Sequence, residues 1–324
     1  MQSPNLRRSR ANWKLAPLVM APVLFATMQA QAADGDGDLT NLNLGSKLLS
    51  DVRTALPESS AVNQSFLSSD YNPNLRLSEA SHLAVSFIDE GAGYRNSVGY
   101  FEFTDNAFDG MSFGDIDSNG SGRISYSELN SVQGVQADFM FSNFSEQGGG
   151  GSLNYGDTLV IGGGSVTETA DGLTMSGGKL FEAGTNVGFF VSANAYSYGG
   201  IKGLNRSGDP NNFYSLDFLN PEASVDATLG NANENARHTA MLFADTNQSS
   251  VLVGFEDLIR PYGDNDFNDA IFLVQADPAA ALSDNDLDIA TAPLPDMGGG
   301  QLSGLLSLVI GCTVFRRRRK NEVA

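Results

Sequence analysis

Apolar residues follow two different periods along the chain. Over residues 45–56 the apolar side chains recur at helical spacing, and Pro57 follows them directly. These apolar residues are Leu48, Leu49, Val52 and Leu56. This spacing predicts one short helix. Beyond it, short runs rich in Val, Ile, Phe and Tyr alternate with Gly, Asn, Asp and Ser, which is typical of strands and turns. The predicted strands are His82–Asp89, Ser97–Phe103, Ala137–Ser142, Thr158–Ile161, Gly188–Asn194, Phe213–Phe218, Arg237–Ala244, Ser250–Glu256 and Ala270–Gln275.

Many short strands and almost no helix predict an all-β fold, an antiparallel β-sandwich that is jelly-roll-like. We expect the sandwich to occupy residues 81–277, with an N-terminal segment at 33–80 that holds the short helix. Residues 106–134 interrupt the strand pattern and predict an insertion. Residues 278–296 are acidic and contain Pro at both ends, so they predict a disordered linker.

The insertion contains the sequence pattern of an EF-hand-type calcium loop. Oxygen-bearing residues occupy loop positions one, three, five, seven, nine and twelve, Gly122 stands at the sharp turn, and Ile124 is the apolar residue at position eight. The flanks predict only weak helices, so a calmodulin-like opening of paired helices is not expected. The predicted ligands are Asp117, Asn119, Ser121, Arg123 (through its backbone carbonyl), Ser125 and Glu128.

Carboxylates and asparagines also crowd residues 254–269, between the last two predicted strands. Asp264, Asp266 and Asn268 alternate, so an extended backbone would point all three to one face and Phe267 to the other. Converging oxygens predict a second calcium site. The alternative is a turn whose Asx side chains cap their own backbone. The predicted ligands are Glu256, Asp257, Asp264, Asp266, Asn268 and Asp269.

The N-terminus has the three parts of a secretory signal peptide, which we place at residues 1–32. A basic stretch from Arg7 to Lys14 precedes an apolar run, and Ala30-Gln31-Ala32 provides the small residues of a cleavage site. The chain is therefore predicted to be exported.

The C-terminal segment, residues 297–324, joins an apolar stretch, Leu302–Phe315, to the basic cluster Arg316–Lys320. The stretch is shorter than the about 20 residues of a typical membrane helix, and the basic cluster favours the cytoplasmic side. A single-pass anchor is one interpretation. The other is a sorting signal, because the segment resembles the PEP-CTERM and GlyGly-CTERM tails that a membrane protease recognises in Gram-negative bacteria. The predicted location is the cell surface, the outer membrane or the extracellular space, after transient anchoring in the inner membrane.

Charge and cysteine content restrict the partners. The chain has 19 basic and 38 acidic residues, and nine of the basic residues lie in the two end segments. Such an acidic chain lacks the cations that nucleic acid binding requires. The single cysteine, Cys312, lies in the apolar tail, so no disulfide is expected in the exported body. Calcium is a natural substitute for such cross-links.

Several motifs together resemble a known bacterial family. Gly254–Leu258 followed by Asp264–Asp269 looks like the hallmark of the exported family called domain of unknown function 4114, and the LruC-domain proteins are similar. Segments at residues 89–100, 141–157 and 181–190 agree in order. The resemblance covers roughly residues 50 to 276. It implies an exported β domain associated with calcium-binding sequences and sorting tails, and it supplies no reaction.

No enzymatic motif accompanies these sites. The histidines are His82 and His238, each on a predicted strand and neither in a triad motif. We therefore expect a calcium-binding surface or matrix protein with a structural or interaction role, and not an enzyme. Its cofactor would be Ca²⁺, and its partners extracellular polysaccharide or matrix proteins.

Two other functions stay open at this point. A calcium-dependent glycan-binding or adhesion module would need aromatic platforms, and a secreted hydrolase would need a pair of carboxylates. The only tryptophan, Trp13, lies in the signal peptide. Stacking on a sugar would therefore depend on tyrosines, namely Tyr94, Tyr100, Tyr196, Tyr198 or Tyr214.

Overall fold

A computed structural model describes residues 39–67, 73–169, 172–197, 199–202, 211–223, 234–260 and 262–289. The helices are α1 (Ser46–Ala55), α2 (Phe113–Ile116) and α3 (Tyr126–Leu129). The strands are β1 (Thr40–Asn41), β2 (Leu75–Arg76), β3 (His82–Asp89), β4 (Ser97–Phe103), β5 (Val135–Phe141), β6 (Asp157–Val160), β7 (Gly164–Thr169), β8 (Gly172–Gly177), β9 (Asn186–Ser192), β10 (Tyr196–Ser197), β11 (Gly200–Ile201), β12 (Asn212–Tyr214), β13 (Thr239–Phe243), β14 (Ser250–Phe255), β15 (Ala270–Asp277) and β16 (Asp288–Ile289).

The predicted signal peptide, the C-terminal segment and Cys312 lie outside the described residues. Within the described ranges, every helix is too short or too polar to cross a membrane.

Two sheets build the body of the molecule. The larger has the order β1-β6-β3-β15-β14-β13-β16, and the smaller has the order β12-β9-β4-β5 with β2 beside β9. Strand pairs within them are antiparallel, except that β16 runs parallel to β13. The prediction of an all-β fold is confirmed, while the larger sheet is mixed instead of purely antiparallel.

The two sheets pack face to face over one aromatic-rich core. Strand alternation sends Val85 and Phe87 of β3 inward, together with Phe272 of β15. They meet Tyr100 of β4 and Phe189 of β9 from the smaller sheet. The rings of Phe189 and Phe272 lie 5.2 Å apart, edge to face, which is a favoured aromatic geometry.

Helix α1 covers the outer face of the larger sheet. Its apolar positions Leu48 and Val52 are fully buried, and they belong to a second core with Leu252 of β14 and Leu273 of β15. The helix predicted over residues 45–56 is confirmed, and its apolar stripe is what fastens it to the sheet.

The insertion between β4 and β5 covers the outer face of the smaller sheet. Ile116, Ile124 and Leu129 are buried there against Phe101 and Tyr214. The Tyr214 hydroxyl donates to the Ile124 carbonyl at 2.8 Å. Residues 106–134 are therefore part of a third core and not a free appendage.

The predicted linker at 278–296 is wrong over its first part. Ala281, Leu282 and Leu287 are buried against the main core, and β16 extends the larger sheet. Acidic residues between these positions are exposed, which is why the segment looked like a solvated chain. The remaining residues, 290–296, lie outside the described ranges.

Other differences have local causes. The N-terminal segment 33–80 contributes β1 and β2 to the two sheets instead of standing apart. The strand predicted at Phe213–Phe218 ends at Tyr214, because Asn220 accepts from the Tyr214 N–H and donates to its carbonyl, which turns the chain. The largely polar β7–β8 hairpin was missed because it buries few apolar side chains.

Candidate metal-binding sites

The Asp117–Glu128 loop is held by its own carboxylates. Asp117 Oδ2 accepts from the Gly122 N–H at 2.8 Å, and Asp117 Oδ1 accepts from the Ser121 N–H at 3.0 Å. Gly122 has a φ of 76°, a left-handed conformation that favours glycine. The Asn119 Oδ1 accepts from Ser121 as well, at 2.8 Å. These contacts fold the first half of the loop around Asp117.

Glu128 closes the loop and caps helix α3. Its Oε2 accepts from the N–H and hydroxyl of Ser125 at 2.9 and 2.8 Å, and its Oε1 accepts from Ser118 at 3.0 Å and the Asn119 N–H at 3.2 Å. Burial alone would raise the pKa of Glu128, but these hydrogen bonds outweigh it and lower the pKa. Ser125 and Glu128 form a capping box, which starts the helix independently of any ion.

The loop therefore brings the predicted ligands Asp117, Asn119, Ser121 and Glu128 into one hydrogen-bonded ring, and the Arg123 carbonyl accepts from the Ser121 hydroxyl at 2.9 Å. Its two carboxylates accept loop donors through all four of their oxygens. In the absence of an ion, neither carboxylate is left without a partner.

The second predicted site is assembled around Glu256, which follows β14. This residue is completely buried, and its Oε2 accepts from the Asn265 N–H at 2.9 Å. Its Oε1 has no hydrogen-bond partner. A Cβ at Gly263 would lie 2.0 Å from that oxygen, so only glycine leaves room for the carboxylate there. Burial, followed by the charges of Asp264 and Asp266, raises the pKa of Glu256 to about 7.

The buried Asp257 and the half-buried Asp269 form a pair beside Glu256. The Asp257 N–H donates to Asp269 Oδ2 at 2.8 Å, and Asp257 Oδ2 accepts from Asn96 Nδ2 at 2.6 Å. Burial raises the pKa of both carboxyl groups. The negative charge of Asp257 raises the pKa of Asp269 further, and the charges of Asp264 and Asp266 do the same for Asp257. The site therefore holds more negative charge than its own donors neutralise.

Asp266 lies at the centre of the cluster. It is buried, its Oδ2 accepts from the Ser59 N–H at 2.8 Å, and burial raises its pKa. Two triads of carboxylates share it, and within each triad one oxygen of every residue lies within 4.8 Å of the others. The inner triad is Glu256, Asp266 and Asp269, and the outer triad is Glu58, Asp264 and Asp266.

Asp266 and Asn268 reach the cluster without an extended backbone, so that part of the prediction is wrong. Asn265 and Phe267 have φ values of 61° and 59°, and no strand covers residues 262–269. Left-handed residues alternate with the acidic ones and curl the chain around the site. Phe267 still points the other way, into the core under α1, and Arg260 stacks over its ring at 4.9 Å.

Sequence reasoning missed Glu58 and Asn96. Asn96 is buried, and Glu58 accepts from Asn268 Nδ2 at 2.9 Å through its Oε2. Neither residue stands in an acidic run, and both are far from the cluster along the chain. Asn96 does fall in one of the segments that carry the family resemblance, which is the signal that pointed towards it.

The chemistry of the cluster fits a hard cation. Its donors are carboxylate and amide oxygens, the ligands that calcium prefers, and neither triad contains the nitrogen or sulfur ligands typical of zinc. A buried oxygen without a partner adds a position that a cation would satisfy. The inner triad is thus the part of the described structure best suited to hold a metal ion.

The two histidines have structural partners. His238 is buried, stacks on Phe213 with the rings 4.2 Å apart, and contacts the Glu256 carbonyl at 2.9 Å and Glu222 at 3.1 Å. His82 contacts the Lys179 carbonyl at 2.9 Å. His238 therefore supports the strand end that carries Glu256.

Comparison with protein-family models gives a match to part of the chain. The family model of a domain of unknown function (DUF4114) matches residues 181–277, a narrower range than the resemblance read from the motifs. No curated protein and no solved structure matches the chain. The matched range runs from the turn before β9 to the end of β15 and includes the carboxylate cluster except Glu58. Residues 181–277 are therefore similar to DUF4114.

Proposed function

We propose that this protein binds calcium as a structural component of an exported domain that acts at the cell surface or in the extracellular matrix. The observation that carries the proposal is the buried Glu256, whose Oε1 has no hydrogen-bond partner and whose carboxylate forms a triad with Asp266 and Asp269. Burial of an ionised carboxylate is costly unless a cation or several donors compensate for it. A divalent cation would neutralise the charge and satisfy the oxygen together.

The spacing of the triad is compatible with calcium. Calcium–oxygen distances are about 2.3–2.6 Å, so two oxygens on one ion lie at most about 5 Å apart. The triad oxygens lie within 4.8 Å of one another. Calcium also accepts irregular sets of about six to eight oxygens, which suits a site built from loops.

The Asp117–Glu128 loop would be the second calcium site, of EF-hand type, on the position of its residues alone. The finer description of the fold, a jelly-roll-like sandwich with this loop inserted, belongs to the same proposal. So do export through the N-terminal segment and processing of the C-terminal segment by a sorting protease. Calcium would then stabilise an acidic, disulfide-free body outside the cell, where the ion is abundant.

The burial of two of the candidate tyrosines weighs against glycan binding as the main role. Tyr100 and Tyr214 are buried in the cores, so they offer no stacking surface. Tyr94 and Tyr196 retain some exposure, and Tyr198 lies outside the described residues. The structural role of calcium therefore has the stronger geometric support.

Thermal unfolding of the full-length protein tests the proposal. A site with a dissociation constant near about 0.1 mM adds about 1.4 kcal/mol at tenfold excess calcium, which raises the melting temperature by about 3–6 °C. We expect at least this rise between EDTA and millimolar calcium, and a smaller rise with equimolar magnesium. An unchanged melting temperature would contradict the proposal.

Two matched variants show which site produces the calcium-dependent rise in melting temperature. Glu256→Gln keeps the size of the side chain and removes its charge, so it should lose the part of the calcium-dependent rise that comes from the cluster. Glu168→Gln is a control on the β7–β8 hairpin, where the side chain is exposed. If both variants respond to calcium like the parent protein, the cluster is not the site.

A further inference from the structure

Glu58 connects the carboxylate cluster to the N-terminal segment. The residue lies between α1 and the turn at Gln64–Leu67. Asn268 Nδ2 donates to its Oε2 at 2.9 Å, and the next residue, Ser59, donates its N–H to Asp266 Oδ2 at 2.8 Å. This short connection therefore contacts the β14–β15 loop at the cluster itself.

The outer triad adds ligands beyond those of the inner one. Asp264 and Glu58 are exposed, and their oxygens meet the buried Asp266 within 4.8 Å. Asp266 belongs to both triads, so a cation at one position lies next to the other. Six acidic residues, Glu58, Glu256, Asp257, Asp264, Asp266 and Asp269, make up the cluster, and one divalent ion would neutralise only two charges.

The backbone leaves room for ligands at the outer position. A Cβ at Gly91 would lie 2.3 Å from Asn268 Oδ1 and 2.7 Å from Glu58 Oε2. The Gly91 N–H donates to the Asn268 carbonyl at 3.0 Å, which holds the β3–β4 connection against the site. A residue larger than glycine would displace both ligand oxygens.

An independent observation points to a ligand in this cluster. Glu256 Oε1 is buried and has no hydrogen-bond partner, although donors surround the neighbouring carboxylates. The polar groups that reach the cluster from Ser59, Asn96 and Asn265 leave this oxygen unsatisfied. The protein alone does not complete the site.

We propose that the cluster holds two adjacent calcium ions that share Asp266, and that Glu58 is a ligand of the outer ion. The inference rests on the proposed function, because it assigns a further ligand and a second ion to the same cluster. Calcium would thereby fasten residues 57–63 to the β14–β15 loop. Since the coupling is reciprocal, docking of this connection also raises the affinity for the outer ion.

Glu58→Gln tests the assignment in the full-length chain. Glutamine keeps the length of the side chain and one carbonyl oxygen, and it removes the charge that a calcium ligand supplies. We expect the number of calcium ions bound in equilibrium dialysis to fall by one, or the weakest affinity to fall about tenfold or more. Asp264→Asn removes the other exposed ligand and should give the same loss.

Hydrogen exchange measures directly whether calcium holds residues 57–63 against the β14–β15 loop. Calcium should slow exchange of the amides at Ser59 and Val62, which donate to Asp266 Oδ2 and the Asn265 carbonyl. Glu58→Gln should lose this protection. Glu79→Gln, an exposed glutamate near β2, is the matched control and should behave like the parent protein in both measurements.

The outcomes separate this inference from the function on which it rests. If the parent protein binds calcium and Glu256→Gln weakens binding, but Glu58→Gln and Asp264→Asn bind like the parent with the same protection, Glu58 is not a ligand and only the inner site stands. If the parent protein binds no calcium, or if Glu256→Gln leaves its calcium binding unchanged, both proposals fail. Loss of one ion in both outer-triad variants, with the control unchanged, supports the second ion.

Discussion

The Asp117–Glu128 loop and the carboxylate cluster are both rich in oxygen ligands, yet they differ in how their charges are satisfied. Every carboxylate oxygen of the loop accepts a hydrogen bond from the loop itself. In the cluster, Glu256 Oε1 is buried without a partner, and its neighbours are carboxylates. The loop can keep its shape without an ion. In the cluster, the buried negative charges are unfavourable unless a cation binds.

The two sites differ more in the desolvation of their carboxylates than in the number of their oxygen ligands. Burial raises the pKa of Glu256 and Asp269 in the cluster, while hydrogen bonds lower the pKa of Glu128 in the loop. A cation should therefore matter more to the folding of the cluster than to that of the loop. Three experiments test this difference between the loop and the cluster.

The largest effect is expected from Glu256→Gln, and its sign should depend on calcium. The pKa of about 7, against the ordinary 4.5, means that ionising the buried side chain costs about 3 kcal/mol in the calcium-free protein at pH 8. Glutamine removes that cost, so the variant should be more stable than the parent in EDTA and less stable in millimolar calcium. Denaturant unfolding under both conditions measures the reversal.

Glu128→Gln provides the comparison at the loop. It removes charge from a carboxylate that four donors already satisfy, so it should destabilise the protein in EDTA as well as in calcium. A Glu256→Gln variant that is also destabilised in EDTA would show that the cluster is satisfied without an ion, and the comparison would collapse.

The next largest effect is a dependence of stability on pH. A carboxyl whose folded pKa is raised keeps its proton after the unfolded chain has released it. Stability in EDTA is therefore greatest below the unfolded pKa of about 4.5 and falls as the pH rises towards 7, by about 1.4 kcal/mol per pH unit for each such proton. Glu256 and Glu90, whose pKa burial also raises to about 7, contribute over this window, and the pKa of Asp269, which burial raises further, extends the fall to higher pH.

Millimolar calcium should reverse the slope, because the ion binds only the deprotonated carboxylates. Urea unfolding between pH 4.5 and 8, with and without calcium, provides the measurement, and Glu256→Gln should flatten the EDTA profile. Stability that rises through this window in EDTA would show that the carboxylates are favourably paired in the folded protein.

The smallest effect is expected from Ser125→Ala in the loop. Ser125 is the N-cap of α3, and its loss should cost about 1 kcal/mol whether or not calcium is present. Ser165→Ala, at an exposed position of β7, is the control. If calcium enlarges the cost of Ser125→Ala, the hydroxyl acts as a ligand as well as a cap.

Short apolar runs bounded by turn residues were enough to predict β3, β4 and most central strands, because these strands are buried over most of their length. The same reasoning failed where burial is not visible in a local pattern. Leu287 lies between exposed acidic residues, and its burial depends on β16 pairing with the distant β13. The largely polar β7–β8 hairpin buries only Val166 and Met175, too few apolar residues to form a recognisable run.

The two candidate sites also differ in whether a local pattern or the tertiary structure specifies them. The sequence by itself determined the Asp117–Glu128 pattern, because the ligands of one short loop stand at fixed spacing and their hydrogen bonds are local. It also determined that residues 254–269 are rich in oxygen ligands. Only the tertiary structure decided that Glu58 meets Asp266, that Asn96 supports Asp257, and that Glu256 is buried without a partner. Those contacts join segments far apart in the chain, and desolvation is a property of the packed molecule that no local spacing specifies.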